Sequence, residues 1–290
     1  MKIFKISCLP FGCIIAASLL FTACDPNDNE DPSGQQLTDV QSIQDNNTSE
    51  SLFEDLDNIA QLAMEEDEAN ERRTESCATV TITPDAEGSG GTIKLDYGEG
   101  CEGSDGKTRT GILNITYTDR YFASGSVITV TPENYTISTP LRGTVQVEGE
   151  RKVTNVTEEG GNPTHRIEVT NGTLTYADGR ESTWTSTRTR EMTAGRDTPL
   201  NRFDDVYSIS GSANGTNVTG TAYTIDIVNP LVINTSCYAQ GVLYPTSGIM
   251  TLNSDNREKS INYQPADDDG GCNRTFSVTV DGREFIIVIQ

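Results

Sequence analysis

TFSVTVDGREFIIVI, residues 275–289, reads as two strands joined by the tightest kind of turn. Asp281 and Gly282 form the Asp-Gly pair that a two-residue hairpin loop prefers, and pairing outward from it sets Val278 opposite Phe285 and Phe276 opposite Ile287. The same pattern repeats backwards along the chain as far as Cys77. Runs of Thr, Val, Ile and Tyr are bounded by Gly, Asn and Asp, with no helical period of any length. The expected fold is therefore mainly β. Residues 77–290 should form an antiparallel meander of long hairpins, arranged as a two-layer sandwich or an open half-barrel, with one N-terminal amphipathic helix packed on the sheet.

Two strands in this stretch make opposite demands. FIIVI at 285–289 is apolar on both faces and calls for cover on each. ESTWTSTRTRE at 181–191 alternates Thr183, Thr185, Thr187 and Thr189 with Trp184, Ser186, Arg188 and Arg190, so neither face is purely apolar and an edge or wet surface is expected. Two weak repeats also appear. IKLDYGEGC resembles SINYQPADDDGGC, and VEGERKVTNVT (147–157) aligns with ISGSANGTNVT (209–219) through a shared Gly that marks a bulge or kink. Duplicated hairpins within one domain account for both.

SLFEDLDNIAQLAMEEDEANERR carries the helical period. Leu52, Leu56, Ile59 and Ala63 form a stripe widened by Phe53, Ala60 and Met64, with Ser51 and Glu54 as a capping box. This predicts a helix over 49–73 that docks on the sheet. Residues 24–48, beginning with DPNDNEDPSGQQ after Cys24, read as an acidic disordered tether. A calcium loop there is disfavoured, because Glu30 stands where Gly is needed and Gln36 where a closing Glu is needed.

Before Cys24, Lys2 and Lys5 precede the apolar run CLPFGCIIAASLLFTA, the pattern of a signal peptide over 1–23. LFTAC resembles a bacterial lipobox, which implies acylation of Cys24. Removing Cys8 and Cys13 with the signal and assigning lipid to Cys24 leaves four of the seven cysteines, Cys77, Cys101, Cys237 and Cys272. An even set in an exported chain points to disulfides. The midpoints of Cys77–Cys101 and Cys237–Cys272 fall in the turns EGSGG and NSDN, so each bond would staple one hairpin; this favours that pairing over the two other connectivities.

TIKLDYGEGC, STRTRE, DDVYSISGSANGTN and TVDGREF together resemble a family of Bacteroidetes cell-envelope lipoproteins. The resemblance runs from about Cys77 to the end and implies an exported, lipid-anchored β protein. It transfers no activity, ligand or functional residue. Acidic residues behind the lipidated Cys resemble that phylum's surface-export signals, which would place the protein on the outer membrane, exposed at the cell surface.

Charge and residue supply narrow the function. Residues 24–76 hold 16 acidic and 2 basic side chains and residues 77–290 hold 27 and 17, and such an excess repels nucleic-acid phosphate. The single histidine, His165, and the lack of a GxSxG motif argue against a serine hydrolase. No cofactor, metal site or catalytic residue is expected, and Asp267, Asp268 and Asp269 read as a solvated loop. The one local exception to the negative charge is Arg188, Arg190, Arg196 and Arg202 beside Trp184 and Phe203. Trp184, Arg188, Arg190 and Arg196 are the candidate site for an anionic ligand, set against pairing with Glu181, Glu191, Asp204 and Asp205. The expected function is a non-catalytic binding or structural module with a glycan or protein partner. A periplasm-facing carrier of an apolar ligand and a glycoside hydrolase are the alternatives.

Overall fold

The computed structural model describes residues 3–6, 32–69, 77–86, 88–140, 142–198, 201, 203–240, 242, 244–264, 271–272 and 274–289. Strand β1 (Ile3–Ile6) and helix α1 (Pro32–Ala69) precede the meander. Its first half is β2 (Thr79–Pro84), β3 (Gly91–Glu102), β4 (Thr108–Tyr117), β5 (Val127–Thr139), β6 (Gly143–Asn155) and β7 (Thr164–Tyr176). The second half is β8 (Glu181–Ala194), β9 (Val206–Thr216), β10 (Ala222–Asn234), β11 (Ser247–Ser254), β12 (Arg257–Asn262), β13 (Thr275–Val280) and β14 (Arg283–Ile289). From β2 to β14 every strand pairs antiparallel with its sequence neighbours in one continuous sheet, and β1 lies parallel to β14 at one end. The terminal hairpin has the expected register, and both Asp281 and Gly282 take positive φ.

The sheet is the open half-barrel of the two alternatives. Alternate residues from β3 to β12 are buried on one face, including Ile93, Leu113, Val130, Val153, Leu174, Ile225, Leu252 and Ile261. Ten strands at about 4.8 Å spacing would span about 43 Å if flat, whereas a helix with its side chains is about 10–12 Å wide. One helix can help seal that whole face only if the sheet curls around it. Buried positions on α1, from Ser42 to Met64, correspondingly fan over about 160° of its circumference. Phe53 and Leu56 are within 1% of complete burial.

Bulges break the long strands where the sheet must bend. Gly149 and Gly211, the shared glycine of the internal repeat, both have positive φ, and a Cβ on either would run into the neighbouring strand's backbone at Asn171 or Thr187. The repeat continues past the bulge. Asn155 and Asn217 are both buried at a strand end, and each accepts a hydrogen bond from the backbone N–H two residues on, at Thr157 and Thr219. The disulfides are Cys77–Cys101 and Cys237–Cys272, as the midpoints indicated. By loop-closure entropy, spans of 24 and 35 residues should contribute about 3–4 kcal/mol each.

Three expectations need correction. The helix starts at Pro32, not at residue 49, so the tether reading of 24–48 fails from residue 32 onward. Ser42, Asp45, Asn46 and Ser49 are buried against the sheet, and polar residues give no apolar period to announce such a segment. Ser51 is consequently mid-helix and caps nothing. Of the edge or wet surface expected for strand 181–191, the edge fails: β8 lies between β7 and β9, its threonines exposed on the outer face and its Trp and Arg side inward.

Candidate functional site

The predicted ligand cluster comes together, but inside the protein. Trp184, Arg188 and Arg190 share the inner face of β8, where α1 runs alongside and meets them in turn. Trp184 Nε1 donates to Asn46 Oδ1 at 3.0 Å and its ring stacks on Phe53. Arg188 pairs with Glu50 at 3.3 Å, and Arg190 donates to Glu54 at 2.9 Å and to Asp57 at 3.3 Å. Successive helix turns therefore engage inward positions of the strand in order. The exposed anionic-ligand site built on these three residues is not present, because the helix covers it. The partners of the two arginines are the helix acids Glu50, Glu54 and Asp57, not Glu181, Glu191, Asp204 or Asp205.

Arginines from other strands complete the seam. Arg151 on β6 contacts Glu54 at 2.8 Å and Asp57 at 3.4 Å, while Arg109 on β4 is 1% exposed and bonds both Asp55 and Asp105. The acidic helix thus lies in a trough lined with guanidinium groups, where an apolar stripe alone would suggest purely hydrophobic docking. Burial alone would raise the Asp57 carboxyl. Arg151 and Arg190 outweigh it and hold Asp57 below its ordinary value.

His165 joins this seam beside Tyr121, ring centroids 5.0 Å apart. Burial, reinforced by the charge of Arg190, pushes it down to about 4 against the opposing pull of Asp57. It is neutral at pH 7 and 5% exposed. A general base must reach a substrate proton, and this imidazole is covered. Among the described residues no group of His, Cys, Asp or Glu could hold a metal ion. Cys24, Arg202 and Asp267–Asp269 lie outside the described residues.

The exterior offers a different candidate. The six connections at one end of the meander, 103–107, 140–142, 177–180, 217–221, 255–256 and 281–282, have two to five residues. Those at the other end, 85–90, 118–126, 156–163, 195–205, 235–246 and 263–274, have six to twelve. Three of the long loops are tied together: Ser124 Oγ donates to Thr157 O at 2.9 Å, and Arg196 donates to Gly161 O at 2.8 Å. Phe122 and Phe203, 63% and 67% exposed, and Val156 project from these loops. Arg196, the fourth predicted site residue, belongs to this end and is separated from Trp184, Arg188 and Arg190. Phe203 stood out in the sequence beside the arginine cluster, whereas Phe122 was missed, because a single Phe between strands carries no period.

Along β8 the helix runs from the tight-turn end to the loop end. Its N-terminal part meets the 217–221 turn, with Asn217 donating to Ser42 Oγ at 3.0 Å and Val218 N–H donating to Asp45 at 2.8 Å. Asp57 meets Tyr121 of the 118–126 loop. No protein-family model, curated protein or solved structure matches the chain.

Proposed function

We propose that this protein is a lipid-anchored module of the bacterial cell surface that recognises a glycan or protein partner through its long-loop end and carries out no catalysis. The observation that carries this reading is the polarity of the fold. α1 enters at the tight-turn end, and residues 32–41 extend it upstream by about 15 Å. A tether from Cys24 would therefore approach that end and leave the long loops pointing away from the membrane. Loops held on a rigid scaffold are where binding residues concentrate, and exposed aromatics suit a recognition surface. The carrier alternative loses support because α1 packs into the trough where an apolar ligand would lie.

A photo-cross-linking side chain at Phe122 or Phe203 should capture the partner on intact cells, and one at Asn256 on the opposite end should not. Equal capture from both ends, or capture from Asn256 alone, would refute recognition by the loops.

A further inference from the structure

β14 ends the meander without the features that protect an edge strand. After Arg283 and Glu284 it continues as FIIVI, with no Pro, Gly or charge. Phe285 is 38% exposed and Ile286 and Ile287 are half-buried, and the main contacts of α1 fall on β5–β8 and β11. The other edge is blunted. β2 is TVTITP, closes at Pro84 and is fastened by Cys77–Cys101. The free side of β14 is open to pairing, since Ile3–Ile6 add to it as a parallel strand, Ile3 opposite Ile286 through Ile6 opposite Ile289. Those four residues precede Cys24, so on the lipoprotein reading, on which this inference rests, they leave with the signal peptide and vacate the edge.

We infer that the vacated edge of β14 is a strand-acceptor site for an extended apolar peptide segment of another polypeptide, added parallel as Ile3–Ile6 are. Backbone hydrogen bonds along the edge supply the binding, and the uncovered apolar side chains of β14 select a ligand rich in β-branched and aromatic residues. A second copy paired through its own β14 does not fit. Two identical edges related by a two-fold axis run antiparallel, which would put the two tight-turn ends, and hence the two tethers, on opposite sides of the assembly.

The probe is the fluorescent peptide KIFKIS, residues 2–7, titrated into processed protein purified from membranes. Saturable binding is expected, with a scrambled peptide inactive. Ile286→Pro and Ile287→Pro provide the edge test, because neighbouring N–H groups point to opposite sides of a strand. Whichever variant keeps the wild-type melting temperature has lost only an outward donor, and it should bind the peptide about tenfold more weakly or worse. A peptide with Phe4→Cys should form a disulfide with Ile287→Cys protein, fixing the register. Wild-type affinity in the thermally neutral proline variant, no saturable binding, or a processed protein already self-associated through β14 would each overturn the inference. Intact mass separates the failures: retention of residues 1–23 overturns the lipoprotein reading as well, whereas a processed chain that ignores the peptide overturns this one alone.

Discussion

At the scale of single residues, the seam between α1 and the sheet makes stability depend on pH through His165. In the unfolded chain an imidazole takes up its proton near its ordinary 6.5, whereas in the folded protein burial and Arg190 delay this to about 4. Between those values the unfolded state binds more protons, so stability falls as pH drops from about 6.5 to about 4, by about 3 kcal/mol in full. Asp57 acts lower still. Its depressed carboxyl contributes stability above its ordinary 3.8, and that contribution is lost as pH falls further. Melting temperatures measured from pH 7 to 4 should decline in the wild type, and His165→Phe should flatten that decline. An unchanged slope in the variant would assign it elsewhere. Because His165, Tyr121 and Arg190 are packed together, the histidine is better understood as a conditional structural element than as a reagent.

At the scale of elements, the duplicated strand is the clearest case of sequence becoming geometry. Gly149 sits at the register shift between β6 and β7 and Gly211 at that between β9 and β10, and at both the space for a side chain is already filled by backbone. Gly149→Ala and Gly211→Ala should each destabilise by about 1–3 kcal/mol, through strain at a positive φ and displacement of the neighbouring strand. Denaturant titration would measure this, and a neutral result at either would remove the bulge as a requirement. Gly143→Ala serves as a positive-φ control with nothing within 4 Å of a Cβ. The hairpins, the terminal register and the disulfide pairing were legible because period-two alternation, turn residues and cysteine spacing are local signals; the choice between sandwich and half-barrel was not, because sheet curvature leaves no local pattern. The early start of α1 was not, because Ser42, Asp45, Asn46 and Ser49 are held by hydrogen bonds and tight packing, without an apolar stripe. The arginines of β8 were legible as one face of a strand. Their partners lie 133–138 positions away on the helix, and no local pattern links such distant charges.

At the scale of the whole molecule, the two ends of the half-barrel differ in what they present, and protease access can read their orientation on a cell. Arg196 is an exposed trypsin site in the 195–205 loop, and Arg180 is an exposed site in the 177–180 turn at the opposite end. A tight turn is intrinsically a poorer substrate than a long loop, so the informative quantity is how the ratio of the two cleavage rates changes when the protein is freed from the membrane. If Cys24 carries the anchor, Arg180 lies on the side nearest the lipid, and bound membrane should slow cleavage there more than at Arg196. Cleavage at Arg196 relative to Arg180 should therefore be higher on intact cells than on detergent-solubilised protein. An equal ratio would mean that the tether does not orient the domain. Cleavage only after the outer membrane is opened would place the loops in the periplasm and turn the search for a partner to that compartment.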